Sequence, residues 1–133
     1  MTPVARLNIT PCPKPRMTKA DRWRKRPSVL KFFAFRDAVR QYKESKVVLQ
    51  SPYHSHHLEF KSFEIEFHVP MPKSWPKWKK ECMNGTPHQQ RPDLDNYLKA
   101  WKDSVYEEDA IVWRVKASKL WTDGTGHIVV NYL

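Results

Sequence analysis

At 133 residues and a formal net charge of +10, from 24 Lys and Arg against 14 Asp and Glu, the chain is a basic polypeptide of single-domain length. It contains no apolar run long enough to cross a bilayer, and a chain of this size needs no disulfide, so Cys12 and Cys82 are read as reduced thiols in a cytosolic setting. A clustered excess of positive charge argues for a polyanionic partner, most commonly nucleic acid, over a charged surface kept only for solubility.

Ala5, Leu7 and Ile9 alternate with Arg6, Asn8 and Thr10, the period of a short first strand that Pro11, Pro13 and Pro15 end. The stretch that follows carries Lys14, Arg16, Lys19, Arg22, Arg24, Lys25 and Arg26 against one acid, Asp21. Prolines and this charge density describe a loop or arm that becomes ordered on an anion, and these seven side chains are the expected DNA contacts. Trp23 among them either stacks on an unpaired base or packs on the domain. Pro27 and Ser28 open a helix in which Leu30, Phe33, Ala34, Phe35, Ala38, Val39 and Tyr42 form a broad apolar face, running to about Glu44. That face suits either a helix held between a sheet and a second subunit or a deep monomer core.

His54, His56 and His57 fall in an irregular stretch without the Cys or carboxylate that would complete a transition-metal site, so they are read as a solvated loop. Phe63, Ile65, Phe67 and Val69 then alternate with Ser62, Glu64, Glu66 and His68, a half-buried strand that Pro70 ends. A short basic helix from Ser74 to Met83 places Trp75 and Trp78 among Lys73, Lys77, Lys79 and Lys80. The pattern serves either phosphate contact or a helix that buries its indoles and exposes its lysines. Asn84-Gly85 ends it, and His88 lies in the approach to the next motif.

That motif, Arg91-Pro92-Asp93-Leu94-Asp95-Asn96, gathers acid in a basic chain. Pro92 biases Arg91 towards an extended conformation, Asp93 takes the N-cap position, and Leu94, Tyr97, Leu98, Trp101 and Val105 follow at helical spacing. Asp95, Lys99 and Asp103 form an i, i+4, i+8 column on a neighbouring face. With Asp93 at the cap and Asp95 in the first turn, both carboxylates can converge beside the helix N-terminus. Close carboxylates repel, at about 1.4 kcal/mol for each unit of pKa shift, and a divalent cation with hard oxygen ligands such as Mg²⁺ relieves that cost. The alternative is structural: Asp93 a cap, Asp95 and Asp103 partners of Lys99, and Glu107, Glu108 and Asp109 a solvated turn. Ile111, Trp113, Val115 and Ala117 then alternate as the longest strand, residues 122–126 read as a hairpin loop, and Ile128, Val130 and Tyr132 make the last strand.

Arg-Pro-Asp-Leu-Asp-Asn-x-x-Lys, with an Asp four residues after the Lys and then an acidic pair opening a strand, resembles the signature of the RusA family of Holliday junction resolvases. The resemblance implies Asp93, Asp95 and Asp109 as the catalytic, metal-holding carboxylates and Lys99 as the motif lysine that assists catalysis. Asp103 and Lys119 also match recurrent family positions, Lys119 reaching a phosphate near the metal. It further implies Mg²⁺ as cofactor with Mn²⁺ as a substitute, a homodimer, and branched four-way DNA as partner, in recombination and repair within a bacterial or phage-infected cytoplasm. Two departures stand out: the acidic pair, usually Asp-Asp, is Glu108-Asp109, and the link from Asp103 to it is short.

The expected fold is one α+β domain over residues 1–133, with a mainly antiparallel sheet of about four strands and helices packed on one side. The expected function is a Mg²⁺-dependent, structure-selective endodeoxyribonuclease making paired symmetric nicks. Its rivals are a non-catalytic branched-nucleic-acid-binding module with a structural acidic cluster, and a metal nuclease acting on other branched DNA or on RNA.

Overall fold

The computed structural model describes residues 5–22, 26–49 and 58–133. Trp23, Arg24 and Lys25 of the basic stretch, and His54, His56 and His57, lie outside those residues. In chain order the elements are β1 (Ala5–Leu7), α1 (Pro27–Leu49), β2 (Ser62–Pro70), α2 (Lys77–Met83), α3 (Leu94–Val105), β3 (Arg114–Thr122) and β4 (His127–Tyr132). A 3-10 turn, Lys19–Arg22, lies in the basic stretch, and another, Asp109–Ile111, precedes β3.

The sheet is ordered β1-β4-β2-β3, antiparallel between β1 and β4 and between β4 and β2, and parallel between β2 and β3. The fold is therefore α+β with a mostly antiparallel mixed sheet. Period-two alternation sets its faces: Phe63, Ile65 and Phe67 of β2 and Ile128 and Val130 of β4 are buried, while Glu64, Glu66 and His68 lie on the opposite face. The parallel pairing needs a crossover, and α2 and α3 supply it. Residues 122–126 consequently do not close a hairpin, because β2 lies between β3 and β4. The loop crosses the end of β2, and at Gly126 an added Cβ would sit 3.0 Å from the Pro70 ring and 3.1 Å from the Thr10 methyl.

Both long helices turn one stripe to the buried sheet face. On α3 it is Tyr97, Ala100, Trp101, Ser104 and Val105, with Leu94 and Leu98 partly buried beside it. On α1 it is Val29, Phe32, Phe35 and Val39, while Leu30 is 51% exposed, so the face is narrower than the apolar content of the helix. Phe67 stacks on Tyr97 at 5.5 Å and ties β2 to α3. The C-terminal carbonyls of α3, which lack partners within the helix, receive cations from α1. Arg40 Nε donates to Ser104 O at 3.3 Å and Lys43 Nζ to Val105 O at 3.1 Å, favourable also for the helix dipole. Tyr106 then fixes the exit by donating to Phe60 O at 2.7 Å. Packing at its C-terminal end and on its buried stripe leaves the N-terminus of α3 as the end that faces solvent with its acidic residues.

Candidate metal centre

Asp93 is the N-cap of α3, with extended backbone angles of φ −66° and ψ 149°, and its carbonyl accepts the first helical amide from Asn96 at 3.1 Å. Its carboxylate makes no cap hydrogen bond, unlike an ordinary Asp cap. Asp95 follows in the first turn, and both side chains are exposed. Among the described residues neither carboxylate has a hydrogen-bond or ion-pair partner. Two hard-oxygen donors thus stand beside the positive end of a helix dipole with their lone pairs free, which suits a small divalent cation that completes its shell with water and phosphate. Lys99, exposed, lies one turn beyond Asp95.

The segment that delivers Asp93 is held from β3. Lys119 occupies the helix-facing side of that strand in register with Phe67, and its ammonium donates to Pro92 O at 2.7 Å and to Gln90 O. These carbonyls flank the cis Arg91-Pro92 peptide. Just upstream, residues 85–88 run along the edge of β3: Gly85 N donates to Trp121 O at 2.9 Å, Trp121 N to Thr86 O at 2.9 Å, and His88 N to Lys119 O at 3.0 Å. His88 is buried against the Trp121 indole, 4.1 Å between ring centres, with Nδ1 unpartnered among the described residues. Burial, and secondarily the Lys119 ammonium, lowers its pKa and keeps the ring neutral near pH 7. His88 is therefore a packing residue of the strap, close in sequence to the carboxylates but turned into the fold.

Asp109 stands elsewhere. It begins the 3-10 turn beyond the C-terminus of α3, and its Oδ2 lies 3.8 Å from the ammonium of Lys102 in the last helical turn. Nine residues separate Asp93 from Lys102, about 14 Å of helix axis. Among the described residues no group of three or more His, Cys, Asp or Glu side chains is close enough to hold a metal ion. Glu108 has a local task, accepting from Ala110 N at 3.1 Å to cap the same turn. Asp103 pairs with Lys14 at 2.9 Å instead of with Lys99, so the acidic column does not bond along the helix.

The described basic residues divide by what they touch. Lys14 is anchored twice, its amide donating to Asn96 O at 3.0 Å and its ammonium lying 4.3 Å over the Phe32 ring as well as against Asp103. The first contact lays the basic stretch along the start of α3, beside Asp95. Arg26 binds Asp21 through Nε and Nη2, both at 2.9 Å, and also donates to Arg16 O. The Arg26 hydrogen bond, then those from Thr18, holds the Asp21 carboxyl down at about 2. The single acid of the stretch thus organises a compact turn. Arg16 and Lys19 project from it exposed, and Arg22 ends its 3-10 segment. The Asp21 to Arg26 clamp carried no distinct sequence signal beyond one acid among many bases.

A comparison with curated proteins returned no match. The family model described as endodeoxyribonuclease RusA matches residues 8–131, a span that takes in β2, β3 and all of β4 but its last residue, leaves out β1, and includes every residue discussed around Asp93 and Asp95. On that match, which covers well over half of its length, the chain belongs to the RusA family of endodeoxyribonucleases.

Proposed function

We propose that the chain is a divalent-metal-dependent, structure-selective endonuclease that resolves Holliday junctions by paired symmetric nicks, acting as a homodimer in the cytoplasm in DNA recombination and repair. The observation that carries this is the pair of unpartnered carboxylates at the N-terminus of α3, in a family of endodeoxyribonucleases and in a chain of net charge +10. Asp93 and Asp95 are the residues that would hold Mg²⁺, or Mn²⁺ in its place. When bound, the cation supplies Lewis-acid neutralisation of the charge that develops on the scissile phosphate.

The chain's own residues do the rest. Lys119 and the edge strap fix the position of Asp93, so that the two oxygen sets are offered without reorganisation. Lys99 is assigned to orient the scissile phosphate or the Asp95 carboxylate. Arg16, Lys19 and the neighbouring Arg22, Arg24 and Lys25 are assigned to the DNA backbone, a role that Lys14 and Arg26 combine with their contacts to Asp103 and Asp21. Asp109 is assigned as third carboxylate on the family resemblance alone. A two-fold dimer would present two equivalent centres to a two-fold symmetric junction. Consistent with a non-membrane setting, no described helix is long and apolar enough to cross a bilayer.

The separation of Asp109 from the other two acids favours one rival, a binding module whose acidic residues are structural. Incubation with a labelled four-way junction, a linear duplex of the same sequence, a three-way DNA and a branched RNA, with and without Mg²⁺, distinguishes them. Symmetric Mg²⁺-dependent nicks confined to the four-way junction support the resolvase. Binding without cleavage in Mg²⁺ and Mn²⁺ supports the module, and nicking of the other substrates at equal rate removes the junction from the proposal.

A further inference from the structure

The two indoles of the basic α2 segment have opposite fates. Trp75 packs on Trp121 of β3 at 4.8 Å between ring centres and carries the Lys79 ammonium 4.2 Å above its ring. Together with the amide of Gly85 on Trp121 O and the amide of Asp123 on Asn84 Oδ1, both at 2.9 Å, it fixes α2 to the end of the strand. Trp78 takes no part in this. It is 67% exposed on a helix that buries none of its residues. A single exposed indole is ordinary by itself, as Trp113 at 72% shows, but Trp78 presents its ring from a helix rich in lysines.

The surroundings define a ligand for it. From Lys73 to Met83 there are four lysines against one acid, Glu81, so the surface is complementary to a polyanion. Its place in the fold is equally specific. Trp121, which anchors α2, and Lys119, which anchors the Asp93 segment, are two residues apart on the same face of β3, roughly 7 Å. α2 and the segment that carries Asp93 are therefore anchored at neighbouring positions of one strand.

Building on the resolvase reading, we propose that Trp78 stacks on a base left open where strands of branched DNA diverge. Every base has a face on which an indole can stack, whereas a continuous duplex keeps its base faces covered by neighbouring pairs. The contact then adds affinity for a branch point and little for linear DNA, while the lysines serve both through phosphate. α2 thereby carries part of the structure selectivity, separately from the carboxylates that cut.

The test uses the full-length protein and its Trp78→Ala and Trp78→Phe variants, with Ca²⁺ replacing Mg²⁺ to suppress cleavage. Affinities are measured by anisotropy for a four-way junction and for a linear duplex of the same sequence. A fluorescent base analogue, 2-aminopurine, is placed at the branch point of the junction. Trp78→Ala is expected to weaken junction binding about 5- to 160-fold, the range for one base stacked on an aromatic ring, with less than about a two-fold effect on duplex. Trp78→Phe recovers most of the loss, and the wild type but not Trp78→Ala quenches the analogue. Equal losses on both DNAs, or no loss on either, overturn the proposal while junction nicking by the wild type leaves the resolvase reading intact. A wild type that neither prefers the junction nor nicks it overturns both.

Discussion

Removing the ammonium of Lys119 while keeping its stem, Lys119→Met, separates two roles for this residue. As found, Nζ serves the carbonyls of Pro92 and Gln90, and hydrogen bonds from a charged donor contribute roughly 1.5–3 kcal/mol each when fully formed. Gln90 is exposed and Pro92 only partly buried, so water can replace the lost donor at both carbonyls. About 2 kcal/mol in all is therefore the expected loss of stability, discounted from the full sum for that solvation. For a chain of 133 residues this is a fall of about 8 °C in Tm. Loosening of the segment that carries Asp93 should also slow nicking by about 100-fold, the size of effect that an ångström of misplacement can produce. The assays are calorimetric Tm, the nicking rate on a four-way junction, and the dependence of junction affinity on salt concentration. An unchanged Tm with a salt slope lower by about one would make Lys119 a phosphate contact and refute the clamp.

Asp109→Asn removes an ion pair of 3.8 Å at a half-exposed position, worth under about 0.5 kcal/mol, so Tm should hold within about 2 °C while junction nicking is lost; nicking that persists would leave Asp93 and Asp95 without a third carboxylate. Lys14→Met loses both the Asp103 pair and the cation–π contact with Phe32, and should lower stability by about 1 kcal/mol in urea unfolding, whereas a wild-type midpoint would show both contacts to be idle. Burial lowers the pKa of His127, with the nearby charges of His68 and Arg6 adding to it against the Thr125 carbonyl and Glu66. His88 is lowered for the reason given above. A folded-state pKa below the unfolded value near 6.5 means that the unfolded chain takes up protons first, so the stability contributed by the neutral rings is complete above about pH 6.5 and declines below it. The urea midpoint should therefore drop between about pH 7.5 and about pH 5.5, and drop less in His127→Gln; equal drops would exclude His127 as a source.

The buried face of β2 was legible because alternation reports directly which side chains point one way, and the same is true of the i, i+3, i+4 stripe of α3. Strand neighbours were not. Alternation in β3 and β4 says nothing of whether they pair, and a Gly-containing loop between two strands serves a hairpin or a crossing over a third strand equally well. Helix α2 starts at Lys77, three residues later than its apolar and basic pattern begins, because Pro76 occupies the N-cap. β3 starts at Arg114 and not Ile111 because Glu108 caps a 3-10 turn over Asp109–Ile111.

At the site, the N-cap position of Asp93 and the first-turn position of Asp95 were legible from Pro92 and the helical spacing that follows it. The use of Lys119 was not, since its acceptors are main-chain carbonyls, which every sequence possesses. Nor was the pairing of Asp103 with Lys14. An i, i+4 neighbour such as Lys99 is the local expectation, and only the tertiary path of the basic stretch along α3 makes Lys14 the closer cation.

The most direct measurement is a denaturing gel of a labelled four-way junction cut in Mg²⁺ by the wild type and by Asp95→Asn, with binding of each to the uncut junction measured alongside. Paired symmetric nicks from the wild type, none from Asp95→Asn, and junction affinity equal or tighter in the variant are expected, since neutralising the carboxylate removes its repulsion of phosphate. Nicking by Asp95→Asn with unaltered Mg²⁺ dependence would contradict a catalytic centre at the N-terminus of α3.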